Sequence, residues 1–473
     1  MRKTIVVALL SLLIAGCAVG PKYVRPAVQP PANFYAEQQA AANSAADMAW
    51  WDLFKDPALQ ALIREALKNN YDLQLAVARV EQERALLGVS RSQYYPQVGY
   101  DASISGQQSP TIPNHTYYSY SFSTIWEIDL FGRIRKLNEA QRAVYLSSEE
   151  ARRDVRLLVT SDVAQGYFQL RALDEQLVIA RRTVQSFQET LDLFQRKLEG
   201  GAASGLEVAR AQAALSNVAA VIPDFERQIV AQENALNLLV GSNPGPIARG
   251  AALADQYDPP DVPAGLPATL LERRPDLREL EQNLITANAN VGVAKANFFP
   301  TISLTGLFGG VSPQLSELTA TGKAWSLAGN LAGPIFTGGR LKNEYRASLA
   351  SRDQAKISFE KAVTQAFGEV STSLSAHQQL AKAYREQLKA VEAYRESVRL
   401  SFIRYDSGLS SYFEIVDAQI QLYPAESSSV TYDLGRKLAV VDLYRTLGGG
   451  WNLSDSQWTS TNGTPSSTQT PTP

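Results

Sequence analysis

The chain has 473 residues, 45% of them hydrophobic, and a formal net charge of −2. That charge offers no electrostatic footprint for nucleic acid, and two histidines leave little for imidazole catalysis or a histidine-rich metal site. A single cysteine excludes disulfides and zinc or redox sites of the CxxC type.

At the N-terminus, Arg2 and Lys3 precede an apolar run from Ile5 to Ile14. The run is too short to span a bilayer and has the shape of a secretory signal peptide, residues 1–16. It ends in Ile14-Ala15-Gly16-Cys17, which resembles the lipobox of bacterial lipoproteins. The resemblance implies an S-diacylglycerol and an N-acyl group on Cys17, and no other cofactor is expected. Ala18 follows where an aspartate would resemble an inner-membrane retention signal, so the outer membrane is the expected address. Residues 17–56 then form a lipid-anchored N-terminal segment. No later apolar stretch approaches the length of a spanning helix, so a crossing of the membrane would require a closed barrel.

The rest of the chain is a duplication. Asp72-Leu73, Gly88-Val89 and Tyr94-Tyr95-Pro96 recur as Asp276-Leu277, Gly292-Val293 and Phe298-Phe299-Pro300, at offset 204 (276 − 72). Phe131, Arg135, Asn138 and Glu139 recur as Phe336, Arg340, Asn343 and Glu344, at offset 205 (336 − 131). Gly201, Glu207 and Ala211-Gln212 recur as Gly408, Glu414 and Ala418-Gln419, at offset 207 (408 − 201). The copies span residues 57–240 and 267–451, joined by a Pro-, Gly- and Asp-rich linker, 241–266. The linker is expected to form a belt with the Pro21–Trp51 segment and the region near Trp451.

Each copy opens with a helix, about Pro57 to Tyr94 and Pro267 to Phe298. Strands are expected over about 95–106, 117–129, 300–309 and 324–335, with loops at 106–116 and 309–323. Val98, Tyr100, Ala102 and Ile104 alternate with Gly99, Asp101, Ser103 and Ser105. Tyr118, Tyr120 and Phe122 alternate with Ser119, Ser121 and Ser123, and Ile302 and Leu304 with Thr301, Ser303 and Thr305. Such alternation suits a transmembrane barrel strand. Four strands cannot enclose a pore, and a lumen needs about twelve, so three chains of four strands are the smallest conducting arrangement.

A long helix from about Arg133 to Glu199 would extend ~100 Å at ~1.5 Å per residue. Its apolar positions, Tyr167, Leu170, Leu173, Leu177, Ala180, Val184, Phe187, Leu191, Phe194 and Leu198, make a coiled-coil seam. The second copy offers Leu374, His377, Ala381, Tyr384, Leu388, Val391, Val398, Phe402 and Tyr405, and His377 reads as a packing residue. Gly200-Gly201-Ala202-Ala203 and Ser407-Gly408-Leu409-Ser410 end these helices. Ser204 to Glu207 and Ser411 to Glu414 follow as capping boxes. The segment from Asn452 to Pro473, rich in Ser, Thr, Gln and Pro, is expected to be disordered.

The lipobox, the duplicated unit, Asp129-Leu130-Phe131-Gly132-Arg133, the run Gly333 to Arg340, and Arg404-Tyr405 with Gly408-Leu409 together resemble the TolC-like outer membrane factors. The chain is most similar to their lipoprotein branch, which includes OprM and NodT-type proteins. The resemblance covers about residues 17–455. It implies a mixed α and β membrane protein, a homotrimeric channel-tunnel with one shared twelve-stranded barrel and a periplasmic helical barrel. It implies an outer-membrane exit duct for drugs, solvents or other small toxic compounds. A periplasmic adaptor and an inner-membrane RND transporter would be its partners. Metal-ion efflux or type I protein secretion is the alternative, and only Met1 and Met48 are available for a thioether path. No nucleophile motif or phosphate loop suggests an enzyme. The resemblance places a periplasmic gate at Tyr405, Phe413 and Asp417, with Arg404 and Arg210 as candidate ion-pair partners. Adaptor docking is expected at the tips, on Gly200, Gly201, Ala202, Ser204, Gly408, Leu409 and Ser410.

Overall fold

The computed structural model describes residues 19–34, 44–109, 112–257, 265, 267–320 and 322–459. Cys17, the expected signal peptide and the chain beyond residue 459 lie outside the described residues. The α-helices of five or more residues among the described residues are α1 (Pro57–Asn69), α2 (Tyr71–Ser92), α3 (Arg133–Glu199), α4 (Gly205–Ala219), α5 (Val221–Val240), α6 (Pro275–Ala296), α7 (Arg340–Asp406), α8 (Tyr412–Thr446) and α9 (Asp455–Thr459). The strands are β1 (Gln97–Ser109), β2 (Ile112–Ile128), β3 (Thr301–Ser312) and β4 (Lys323–Ala332). The two long helices, α3 and α7, have 67 residues each. Among the described residues no helix is long and apolar enough to cross a membrane.

The chain forms two compact units, each drawing on both repeats. Of the described residues, the first comprises those within 19–28, 77–151 and 276–362, and the second those within 29–76, 152–275 and 363–459. The repeats are therefore units of sequence rather than of packing, because helices of this length cannot be buried within one core.

The first unit holds a four-stranded antiparallel sheet in the order β1-β2-β3-β4. Tyr100, Phe122, Phe308 and Trp325 stand directly opposite one another across all four strands. Val98, Thr124, Gly306 and Leu327 form another such row on the same face. The other face carries Asp101 opposite Ser121, Ser103 opposite Ser119, and Ser303 opposite Asn330. β1 runs to Ser109 and β2 begins at Ile112, so the expected 106–116 loop is mostly paired. Alternation fades there while the ladder continues. β3 likewise runs past Gly309, where a Cβ would meet the Tyr120 carbonyl at 2.1 Å, to Ser312. β4 stops at Ala332 rather than 335, because Pro334 has no amide to donate.

Asp129 accepts the backbone amides of Ile134 and Arg135, fixing the first turn of α3. Arg133 binds Glu127 through two hydrogen bonds, and Phe131 stacks on Phe299 with centroids 4.7 Å apart. Residues 19–28 join this unit, whereas residues 29–34 and 44–51 fall in the second unit with the linker, where Trp451 donates to Asp47. Val19 donates to the Phe131 carbonyl, and Glu281 accepts from Tyr23 and pairs with Arg25. The Gly20 backbone lies so close to Gly292 that a Cβ would clash at 2.7 Å.

In the second unit the expected 57–94 helix breaks at Asn70. This buried side chain bonds the Leu239 carbonyl and accepts the Leu73 amide, which starts α2. Its counterpart breaks at Arg274, since Pro275 bars the helical conformation from the preceding residue. The expected second hairpin arm of repeat one divides into α4 and α5, because Pro223 cannot donate to the Ala219 carbonyl. Buried Asp56 caps α1 and accepts from Tyr167 and the Ala251 amide, and Lys437 donates to the Gln256 carbonyl beside it. Burial pushes the Asp56 carboxyl up, but hydrogen bonds from Gln256, Tyr167 and the backbone outweigh it and hold it below the usual carboxylate range. Residues 250–256 of the linker are pinned there. Trp50 is buried in the same core, as a packing residue. Instead of a wholly disordered tail, α9 forms, because Trp458 is buried under Arg156 and Asp455 pairs with Arg152 and Arg156.

Candidate functional site

Two helix turns, one per repeat, end the long helices in the second unit. Both are Schellman turns. Gly201 and Gly408 adopt φ of 73° and 70°. Ala202 donates to the Lys197 carbonyl and Gly201 to that of Leu198; Leu409 donates to Arg404 and Gly408 to Tyr405. Nothing lies within 4 Å of a Cβ built on either glycine, so both turns present open backbone. Gly200 bonds the Arg196 carbonyl, and Ala202, Ser204, Leu409 and Ser410 complete the turns.

The caps that follow differ. Ser204 and Glu207 form the expected reciprocal box. Ser411 makes no side-chain cap, because Glu414 turns instead to Arg404 at 3.2 Å. The same guanidinium also donates to the Leu409 carbonyl, bracing the second turn across its own opening.

Arg404 is therefore paired with Glu414, not with Asp417 as expected. Tyr405 is also engaged within the chain. Its ring lies 5.8 Å from Phe194, and the Lys197 ammonium sits 4.0 Å above it. Arg210 is exposed, and its charge acts on Tyr412. Burial, with Glu207 assisting, pushes the Tyr412 hydroxyl up to about 12. Phe413 and Asp417 remain exposed one turn apart on α8, with Ile420 continuing the same face.

Tyr412, which the sequence did not single out, packs against the seam residue Phe194, their ring centroids 3.8 Å apart, and joins the two hairpins. The aromatic character of Tyr412 was the available signal. Nor did the sequence single out Glu426. This buried carboxylate holds Arg182 of α3 at 2.5 Å and Arg395 of α7 at 2.7 Å. A cavity of about 150 Å³ adjoins it, lined in part by Phe187, Val398, Gln419 and Tyr423. Glu426 follows Pro424 by two residues within α8. His377, read as packing, is half-buried on α7.

The second feature able to carry function is the sheet. Its aromatic face is broadly exposed, with Tyr100, Trp325, Leu327 and Leu331 all uncovered, and its opposite face is lined mainly by hydroxyls and small residues, with Ile125, Leu307 and Val311 as apolar exceptions. β1 and β4 are both edges. A sheet with one greasy face, one polar face and two open edges is suited to a membrane wall around water.

Comparison with known proteins agrees. The profile of the family described as outer membrane efflux protein matches residues 62–242 and 266–449. The toluene efflux pump outer membrane protein TtgC of Pseudomonas putida is 35% identical over 464 residues, covering 94% of this chain and 95% of that protein. The cation efflux system protein CusC of Escherichia coli is 32% identical, covering 93% and 97%. The open-state structure of the Neisseria gonorrhoeae MtrE outer membrane channel superposes with a TM-score of 0.84 at 32% identity, over 92% of this chain and 99% of that one. The chain belongs to the outer membrane efflux protein family, has its channel-tunnel fold, and is the outer-membrane component of an efflux pump.

Proposed function

We propose that three copies close one twelve-stranded barrel and that the resulting duct releases drugs, solvents or other small toxic compounds. An inner-membrane RND transporter, reached through a periplasmic adaptor, would drive export. The observation that carries this reading is the sheet: apolar on one face, mainly polar on the other, and with β1 and β4 as its two edges. The duct itself works without catalysis, by passage and gating. The similarity to a toluene efflux protein supports the choice of cargo.

Cation export is the second reading, favoured by the similarity to CusC. Two methionines, Met1 and Met48, give it little thioether chemistry to use. A deletion strain distinguishes them. Sensitivity to toluene-class solvents and antibiotics, with unchanged tolerance of copper and silver, supports the first reading; the reverse pattern supports the second.

Cys17 would carry the lipid, as an aid to a barrel that already holds the membrane. The open turns at Gly201 and Gly408 would receive the adaptor. Phe413 and Asp417 would face the duct axis near the tips, where three carboxylates favour cations. Tyr405 and Arg404 would support them from behind.

A further inference from the structure

The internal duplication specifies how neighbouring copies meet, because a contact made between repeat one and repeat two within the chain has an empty counterpart at the chain's own edges. Within the chain, β2 of repeat one pairs with β3 of repeat two, from Tyr118 opposite Ser312 to Ile128 opposite Ile302. Three residues further on each side, the Phe131–Phe299 stack closes that seam. The counterpart of Phe131 is Phe336 (131 + 205), and that of Phe299 is Tyr95 (299 − 204). Both are left uncovered: Phe336 is 90% exposed and Tyr95 68% exposed.

We propose that Phe336 of one copy stacks on Tyr95 of the next, and that this stack sets the register in which β4 pairs with the neighbour's β1. The proposal rests on the shared-barrel reading and adds the register that reading leaves open. Continuing an antiparallel ladder from the stack places Leu331 opposite Tyr100, Asn330 opposite Asp101, and Ala328 opposite Ser103. Leu327 then faces Ile104, and Trp325 faces Gly106.

Three independent features agree with this register. Every pair keeps its face: Leu331, Leu327 and Trp325 meet Tyr100, Ile104 and Gly106 on the apolar side. Asn330 meets Asp101 on the polar side. A slip of one residue would set apolar against polar all along the seam. Trp325 would cover Gly106, where nothing lies within 4 Å of a built Cβ, the kind of aromatic cover that edge glycines receive. The Asn330 amide would donate to the Asp101 carboxylate.

Closure geometry supplies the third agreement. Following paired residues around the chain leads from Gln97 to Ile125, Thr305 and Ala328, and then to Ser103 of the next copy. Each chain thus shifts the ladder by six residues (103 − 97), and three chains by eighteen. For twelve strands about 4.8 Å apart with a rise of about 3.3 Å, that shift gives a tilt of about 45°, as transmembrane strands require. Registers two residues to either side give tilts of about 35° and 54° on the same geometry, and both lose the stack.

The test uses paired cysteines in the full-length lipoprotein, isolated in outer membranes. The variant Ser103→Cys with Ala328→Cys puts two small positions face to face, and Asp101→Cys with Asn330→Cys is the second in-register pair. Directly opposed Cβ atoms are about 4.5–5.5 Å apart and diagonal ones about 7–8 Å, so a disulfide selects the register. Oxidation should link most chains of both variants into covalent trimers, while Ser103→Cys with Asn330→Cys links several-fold less. Stronger linking by that displaced pair overturns the register while leaving the shared barrel standing. No linking between copies by any β1–β4 pair, in trimers that remain assembled, overturns the shared barrel as well. Phe336→Ala should lower the trimer's heat resistance and Phe336→Tyr should preserve it; equal heat resistance of both variants overturns the stack.

Discussion

The two long helices have the same length, the same turn and related sequences, yet they spend their apolar seams differently. On α3, Phe187 is 2% exposed, and Leu191 and Phe194 are equally buried, packed against α4 and α8. On α7 the position equivalent to Phe187 is Tyr394 (187 + 207), which is 37% exposed, with Leu388 and Leu400 uncovered nearby. The turn before each helix shows the same split, since Phe131 is stacked and Phe336 is not. Duplication produced two similar surfaces, but near the tips folding of one chain covers only the first. In the proposed trimer the second would be covered by another copy.

That difference can be broken by substitution. Phe187→Ala should cost about 3–5 kcal/mol of the chain's own stability and lower the yield of folded protein before assembly. Leu388→Asp should leave the chain folded but shift trimers toward monomers on a sizing column. Equal effects of both variants on the isolated chain would erase the distinction between the helices.

A smaller effect is expected from charge on the two faces of β4. Leu327→Arg should destabilise the inserted barrel by about 2–4 kcal/mol per chain, read as loss of heat-resistant trimer. The adjacent Ser326→Arg, on the polar face, should assemble normally. Matching losses would mean that the faces are assigned wrongly.

The first of these contrasts was only half legible in the sequence. Heptad spacing marked both seams alike, because periodicity reports which residues share a face and not what covers that face. The strands were readable from their alternation, while their ends were not: pairing continued through Gln107 and Gly309 where the pattern faded, and Pro334 stopped β4 early. The Gly201 and Gly408 turns were readable because positive φ leaves a compositional mark. The partners of Arg404 and Arg210 were not, since several acidic residues lie within reach of either side chain. Glu414 had two competing uses, cap or ion pair, and only the folded geometry shows which prevails.

The two tips offer a finer contrast. Ser204→Ala removes a formed cap and should cost about 1 kcal/mol, seen as faster hydrogen exchange in α4. Ser411→Ala removes none and should leave exchange in α8 unchanged. Arg404→Ala should loosen only the second turn, by about 0–1 kcal/mol for an exposed pair.

The smallest effect appears only in alkali. The first repeat has Gly205 where the second has Tyr412 (412 − 207), whose hydroxyl is pushed up to about 12. The folded form holds this proton more tightly than the unfolded chain, whose tyrosine titrates near 10. The stability this contributes is complete below pH 10 and is lost as pH rises toward 12. Exchange at the second tip should therefore quicken over that range and at the first tip should not, and Tyr412→Phe should abolish the change.

Single-channel recording from purified assemblies in planar bilayers tests most directly whether the uncovered half of this chain exists to build a shared duct. Wild type should be compared with Phe413→Ala plus Asp417→Ala. The account predicts unitary current steps from assemblies of three chains, larger and less cation-preferring in the double variant. Heat-resistant trimers of both proteins that never pass current would contradict it.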